Sequence, residues 1–441
     1  MPMEPGPRNI VIVGGGIIGS TTAYYLTRHP SYNPSLHRIT ILEATSIAAG
    51  ASGKAGGLLG LWAYPQCLVP LSYKLHAELA AEHGGAERWG YRNVSCGKIT
   101  ATVHARDLNG VSHVPIRRSS RATDGKLEND QPKDWEKLPK QDETASKLLQ
   151  DSKLPSDLNW IDQNLVKEYA TMDRFGSTET SQVHPFQFTT TIATLAQEKG
   201  VHIRLNAKVT AFKLKLDNRS VAGIEYLDRA TDEIRSIDGV TDVIVAAGPW
   251  TGRLIPSSSV EGLKADSVVF DADISPYAVF TNISLPRDWV PPHRAAKGQK
   301  RQHKGNVDPE VYARPGREAY ACGEPDPSAS LPETADLVGC DEAQCDDLVA
   351  YISTVSPVLR SAPVLTKQAC FLPRHMRYGK EMSPLIGRTS VSGLWMASGH
   401  TCWGIQNGPA TGKLMSEFIF EGAANSADIS ELDPMVYGIG A

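Results

Sequence analysis

The chain has 441 residues, 41% of them hydrophobic and 21% charged, with a formal net charge of −4. That length exceeds what one small core organises, so two interleaved or consecutive domains are expected. The small net charge gives no reason to expect nucleic acid or an anionic membrane as the main partner. Seven cysteines without dense spacing suit a reducing compartment, and Cys340 and Cys345 lack the second pair that a zinc site needs. No run of 18 apolar residues is present to span a bilayer. The N-terminal MPMEPGPRN is too short and polar for a signal peptide, and the C-terminal GIGA is not a peroxisomal address. The cytosol is the expected location.

Residues 10–13, apolar and β-branched, read as a buried parallel strand. Gly14, Gly16 and Gly19 follow in the spacing GxGxxG, and residues 17–26 carry a helical apolar period. Gly14 lets the chain turn off the strand, Gly16 lets a pyrophosphate approach bare backbone, and Gly19 lets the helix pack close to the sheet. The helix N-terminus, with Ile17 and Ile18 in its first turn, then offers free N–H groups to the phosphates. Residues 38–42 read as a second strand ending at Glu43. That acid stands about 24 residues past Gly19, near the ~20 expected of the residue that holds ribose hydroxyls. Strand, glycines, helix, strand and terminal acid together imply a bound dinucleotide.

The run TSIAAGASGKAGGLLG is small, glycine-rich and carries one cation, Lys54; it suits backbone lying flat against a planar or anionic group, or a flexible loop. Residues 70–83 read as a helix with Leu71, Leu75 and Leu79 on its buried stripe. Between 105 and 150 charged residues, Ser and Pro dominate, which reads as a surface insertion. A helix over 187–199 ended by Gly200, a strand over 201–205, a turn at Asn206 and a strand from Lys208 follow. Residues 221–227 and 234–237 pair as a hairpin. Residues 242–247 form another buried strand that leads into AAGPWTGRL, again bringing bare backbone to the sheet edge where ligands of open α/β sheets bind. Residues 267–283 contain alternating strand-like stretches. The run 293–305, with Arg294, Lys297, Lys300, Arg301 and Lys304, could hold an anionic partner or close over a site, and reads first as a solvated basic loop. Residues 311–323 form a hairpin with Tyr312 and Tyr320 on its arms, and 345–359 an amphipathic helix. Residues 394–398 form a strand, 399–404 a tight loop and 405–420 a helix, which repeats the strand–glycine–helix plan far from its first occurrence.

These separated blocks resemble the FAD-dependent D-amino-acid oxidase, glycine oxidase and sarcosine oxidase superfamily, and within it the fungal group of cytosolic FAD-dependent oxidoreductases that keep GASGKAGG and ASGHTCWGIQN. The resemblance is carried by GGGIIG with Glu43, ASGKAGG, the VHP at 183–185, Lys208-Val209, VAAGPW, and SPLIG…LWMASGHTCWGIQNGPATGKL. It implies an α/β fold: an FAD-binding Rossmann-like domain built from discontinuous segments, plus a substrate domain with a mixed or antiparallel β-sheet. The expected division is 1–100, 180–255 and 371–441 for the FAD domain, 105–150 for the insertion, and 260–370 for the substrate domain.

The resemblance also implies roles. Gly14, Gly16 and Gly19 would lie on the FAD pyrophosphate, and Glu43 with Ala44 on the adenosine ribose. Ser52, Gly53, Lys54, Ala55, Gly56 and Gly57 would run along the phosphates and flavin, Lys208 and Val209 by the adenine. Ala247, Gly248 and Trp250 would pass near the ribityl chain. Gly399, His400, Trp403, Gly404, Ile405 and Gln406 would sit at the pyrimidine end of the flavin, where a helix N-terminus favours the negative charge of the reduced ring. Lys54 would favour anionic flavin states or serve as a pyrophosphate counter-charge. His400 and Trp403 would form an aromatic wall for the substrate or pack simply. Cys370 stands where sarcosine-oxidase relatives join a cysteine covalently to the flavin; non-covalent relatives also carry a small residue there.

Amino-acid oxidases of this group commonly carry an Arg directly before the Pro that here is Pro373, to clamp the substrate carboxylate. Here that position is Leu372. Arg374, Arg314 and Tyr320 are the candidate substitutes, and a secondary amine or modified amino acid is an open substrate. No second GxGxxG serves a nicotinamide. The leading expectation is an FAD-dependent oxidase of an amine or amino-acid-like substrate, transferring hydride to flavin N5 and returning to the oxidised state with O₂ to give H₂O₂. No dedicated base is needed if the amine binds neutral. A dehydrogenase using another acceptor, and a flavoprotein acting in binding or trafficking through its inserted loops, are the alternatives.

Overall fold

A computed structural model describes residues 6–108, 150–173, 178–216, 219–303 and 305–440. The expected insertion therefore lies, apart from its first and last residues, outside the described residues, as does Lys304.

The strand Arg8–Val13 lies at the heart of a six-stranded sheet. Its spatial order is Leu385–Arg388, Leu394–Ser398, Asp242–Val245, Arg8–Val13, His37–Leu42, His202–Arg204. All neighbours run parallel except the edge strand Leu385–Arg388. Ile10, Val11 and Ile12 are wholly buried, and each such aliphatic side chain removed from water contributes about 1.5–3 kcal/mol. Helices Ile17–Leu26 and Gly404–Glu421 pack on one face. They approach closely because the second has no side chain at Gly408 and Gly412: a Cβ on Gly412 would stand 2.5 Å from the Thr21 backbone. The Thr21 hydroxyl donates to the Gly408 carbonyl at 2.8 Å across this seam. The antiparallel meander Ala207–Leu214, Val221–Asp228, Glu233–Asp238 covers part of the other face.

A nine-stranded sheet forms the second layer system. Its order is Lys380–Met382, Val364–Arg377, Val260–Asp271, Glu318–Cys322, Glu310–Arg314, Tyr277–Ser284, Ser95–Thr102, Val166–Thr171, Gln150–Asp151. It is antiparallel save for the parallel pair Tyr277–Ser284 with Ser95–Thr102. One face packs on helix Glu342–Val355; the other turns towards the glycine-rich segment after the second strand. The sheet draws in Ser95–Thr102 from the expected first FAD segment, and the expected limit at 370/371 falls within the continuous strand Val364–Arg377.

Three local expectations are corrected. The helix expected over 345–359 is two helices, Glu342–Val355 and Pro357–Ser361. Pro357 lacks the N–H that would continue the first, and the Ser356 hydroxyl caps the second by accepting from Leu359 N at 3.2 Å. In the 293–305 segment Arg294 is docked rather than solvated: its guanidinium donates to both oxygens of Asp347 at 2.6–2.9 Å, and the Asp347 side chain is only 2% exposed. Of the helical stripe on Val69–His83, Leu75 and Leu79 are buried while Leu71 is half-buried, because Ser72 and His76 turn inward to bond the Ile405–Gln406 backbone.

Candidate functional site

Both helix N-termini on the six-stranded sheet open into one cavity at the carboxyl ends of its parallel strands. Gly14 adopts φ +107°, and a Cβ there would meet the Ala246 carbonyl oxygen at 2.5 Å, so the turn off the first strand demands glycine. Gly19 stands under it, its missing Cβ only 2.0 Å from the Gly14 oxygen; it serves the close helix–strand contact and does not line the cavity. Glu43 lines it. Its carboxylate accepts from Gly15 N at 2.7 Å and from Thr45 N and Oγ1 at 2.8 and 2.9 Å, which fastens the glycine turn to the end of the second strand. The Ser52 hydroxyl accepts from Ile17 N at 2.9 Å, so its own proton remains to donate.

The cavity has two chemically different ends. At one, Ala44, Lys208, Val209, Trp250 and Arg253 meet the segment Glu333–Ala335. Lys208 and Arg253 both pair with Glu333, the latter at 3.1 Å; the Trp250 indole donates to the Pro332 carbonyl at 2.7 Å, and Arg229 holds Asp336 at 2.8 Å. The segment is thereby strapped over this end. At the other end stand Leu372, Pro373, Ala397, Ser398, His400, Thr401, Cys402, Gly404 and Ile405, none of them ionised. His400 is buried, bonds Thr411 Oγ1 through Nε2 at 3.0 Å, and burial pushes its pKa down to about 3. Its imidazole is neutral at any physiological pH.

Of the residues expected at a dinucleotide, Gly14, Gly16, Ile17, Ile18, Glu43, Ala44, Ser52, Ala55, Lys208, Val209, Ala247, Gly248, Trp250, His400, Gly404 and Ile405 line this one cavity. Others are placed elsewhere. Lys54 Nζ donates to the Ala369 carbonyl at 2.9 Å. Gly53 packs on Ala48, Gly57 on Val183, and Gly56 on the ring of Tyr312, which a Cβ would meet at 2.2 Å. Gly399 packs against His375. Trp403 is buried edge-on to Trp62, ring centroids 5.5 Å apart. Gln406 Oε1 accepts from Gly60 N at 2.8 Å. Cys370 lies on the sheet two residues from Leu372, its thiol pushed up to about 11 by burial against the pull of Lys54. Arg314 is buried between Glu318, 3.4 Å away, and His184, with Tyr320 beside it. Arg374 points to Glu261 at 2.7 Å. The strap residues 333–335, Arg253 and Leu254 carry no sequence signal that marks them; they reach the cavity through chain packing alone.

The pattern over residues 9–418 matches the family model described as FAD dependent oxidoreductase. The chain belongs to that family. It is 34% identical to a putative oxidoreductase of Saccharomyces cerevisiae (TDA3), covering 98% of this chain and 95% of the relative. It is 24% identical to a 4-methylaminobutanoate oxidase (formaldehyde-forming) of Paenarthrobacter nicotinovorans, over 95% of this chain and 44% of that protein. Among solved structures, glycine oxidase from Bacillus cereus superposes with a TM-score of 0.62 at 18% identity, over 94% and 95% of the two chains. The protein is thus an FAD-dependent enzyme with the α/β fold of that oxidase. The cavity fits the cofactor on its own terms: a glycine turn where no Cβ can stand, a helix N-terminus with a free hydroxyl beside it, and a carboxylate at the second strand's end with three of its about four acceptor positions filled.

Among the described residues no helix is long and apolar enough to cross a membrane.

Proposed function

We propose that the protein oxidises the C–N bond of an amine or amino-acid-like substrate, with O₂ as the final oxidant and H₂O₂ as a product, in the cytosol. The observation that carries this reading is the convergence of two strand–glycine–helix edges, from opposite ends of the chain, on one cavity that ends in an unionised wall. The oxidase relatives support it, being named for glycine and for 4-methylaminobutanoate.

Bound FAD supplies the hydride acceptor and the passage of electrons to O₂. The chain supplies position and dryness. Gly14, Gly16 and Ser52 would hold the pyrophosphate at the N-terminus of Ile17–Leu26. Glu43 would take a ribose hydroxyl, and Lys208, Val209 and Trp250 would enclose the adenosine under the 333–335 strap. Leu372, Pro373 and the neutral His400 exclude water from the reactive end, and the N-terminus of Gly404–Glu421 brings partial positive charge to it.

Anaerobic mixing of the yellow protein with an amine panel tests the reading. Bleaching of the visible flavin band by at least one amine, and peroxide on admitting air, are expected. No bleaching by any amine would overturn it; bleaching without peroxide would make the enzyme a dehydrogenase.

A further inference from the structure

The helix Gly404–Glu421 opens on the uncharged end of the cavity, which Gly404 and Ile405 line, and it carries a proline, Pro409, inside it. Proline has no N–H, so the carbonyl four residues earlier, Ile405 O, loses its helical donor, and the pyrrolidine ring crowds that carbonyl. The break lies directly behind the turn 404–408. In a helix standing alone, that turn would be free to tilt there.

Two side chains of the helix Val69–His83 mend the break. His76 Nε2 stands 2.9 Å from Ile405 O and 3.2 Å from Gln406 O. Carbonyls only accept, so the imidazole proton is on Nε2 and is shared between the two. The Ser72 hydroxyl donates to Gln406 O at 2.6 Å and accepts from Ala410 N at 3.1 Å, and so is inserted into the next rung of the ladder. Ser72 is wholly buried and His76 almost so. The same stretch of chain holds the side chains of the turn: Gln406 Oε1 accepts from Gly60 N, and Asn407 Nδ2 donates to Tyr64 O at 2.8 Å.

This arrangement persists at a cost. Burial pushes the His76 pKa down to about 4 against the pull of its two carbonyls, so the ring is neutral. Its Nδ1 is buried and finds no partner among the described residues. An apolar side chain in that place, beside the Phe188 ring 4.9 Å away, would leave no acceptor unpaired. What the imidazole supplies, and an apolar group does not, is the donor to Ile405 O.

We infer that Ser72 and His76 are positioning residues of the flavin site: they carry the two rungs of the helix at Pro409 and so keep the turn 404–408 aimed at the flavin ring. There the N–H groups of the turn favour the negative charge of the reduced ring. Neither side chain lines the cavity; both act through the backbone of Ile405 and Gln406. The inference rests on the placing of the reactive end proposed above, and not on the identity of the substrate.

The midpoint potential of the FAD-loaded full chain, read by equilibration with a reference dye, tests it. His76→Leu removes the donor and should lower the ratio of reduced to oxidised flavin about tenfold at a given poise, about 30 mV downward for a two-electron couple. Ser72→Ala should shift it in the same direction. His76→Gln, whose amide nitrogen reaches the position of Nε2, should bring the ratio back to within threefold of the unaltered protein. A role confined to stability would lower the melting temperature and leave the potential alone. An unchanged potential in folded, FAD-loaded His76→Leu and Ser72→Ala proteins, or no recovery in His76→Gln, overturns the inference. If His76→Leu does not retain FAD, Ser72→Ala, which removes a single oxygen, decides by the same readout. Thr401→Asp separates the inference from the placing on which it rests. Thr401 lines the same end at φ +49°, a conformation that Asp tolerates, and the added carboxylate should lower the potential of a ring lying there. A shift in Thr401→Asp alone defeats the positioning role; no shift in any of the three substitutions at residues 72, 76 and 401 defeats the placing of the ring with it. Turnover plays no part, so a failure of amine oxidation strikes the function proposed above and not this readout.

Discussion

The two ends of the cavity are built by opposite means. The end near Lys208 and Trp250 is closed by charged side chains and by one strap of irregular chain, with Glu333 and Asp336 paired to three cations at the surface. The end near Leu372 and His400 is walled by uncharged groups, with Ala397, Ser398, His400 and Ile405 buried and no ionised side chain among its lining residues. Ion pairs at the surface are weak and screened by salt, whereas a dry wall raises the cost of any stray charge. The first construction suits a part of the site that must hold a cofactor and yet admit it. The second suits a part that must keep water from the reacting atoms.

The largest effect is expected at the turn both ends share. Gly14→Ala forces a side chain into φ +107° and onto a backbone carbonyl 2.5 Å away. Strain of about 1–3 kcal/mol, added to a clash that backbone cannot relieve, should lower retained FAD by about tenfold or more, read as the ratio of flavin to protein absorbance. Normal FAD content in that variant would mean that the cavity is not the dinucleotide site.

Acid should strike the dry end next. His400 and His76 are buried with pKa values pushed down to about 3 and about 4. Both are neutral in the folded state, while the unfolded chain takes up protons near pH 6.5. Stability is therefore level with respect to these groups above about pH 7 and falls as the pH drops from about 6.5 towards 4. Melting curves across that range should show the decline, and His400→Asn should make it shallower. An unchanged pH slope in that variant would show that the imidazole is not held neutral.

At the charged end the effect is smaller. Glu333→Ala combined with Asp336→Ala releases the strap and should raise the FAD dissociation rate by about two- to tenfold at low salt, with the difference shrinking as salt is added. Flavin fluorescence on dilution reads the rate; equal rates at low salt would show that the strap does not restrain the cofactor. The smallest expected change is none. Cys370 does not line the cavity, and burial disfavours its thiolate, so acid precipitation should leave FAD in the supernatant of both the natural protein and Cys370→Ala. A yellow pellet from the natural protein alone would establish the thioether.

Legibility in the sequence follows the same division. The parallel sheet was readable because both of its faces are covered, so its strands are continuous apolar runs, and because a phosphate-binding edge needs glycine at set intervals. Residues 10–13, 17–26 and 394–398 appear in the structure where their patterns place them, and the strand expected over 242–247 appears as Asp242–Val245. The break at Pro357 was also written in the sequence but hidden under an apolar period that runs through it. The docking of Arg294 on Asp347, 53 positions away, was not legible, since a basic run has the same composition whether solvated or paired.

By itself the sequence determined that the chain turns sharply through glycine off its first strand, because at φ +107° local backbone sterics leave no other residue type for Gly14. Only the tertiary structure decided what faces that turn across the cavity: that the 333–335 strap closes one end and that Leu372 and Pro373 stand at the other, and where Lys54, Arg314 and Arg374 spend their charge. Those relations depend on strand register between segments tens to hundreds of residues apart, and one residue of slip would turn each of these side chains to the opposite face.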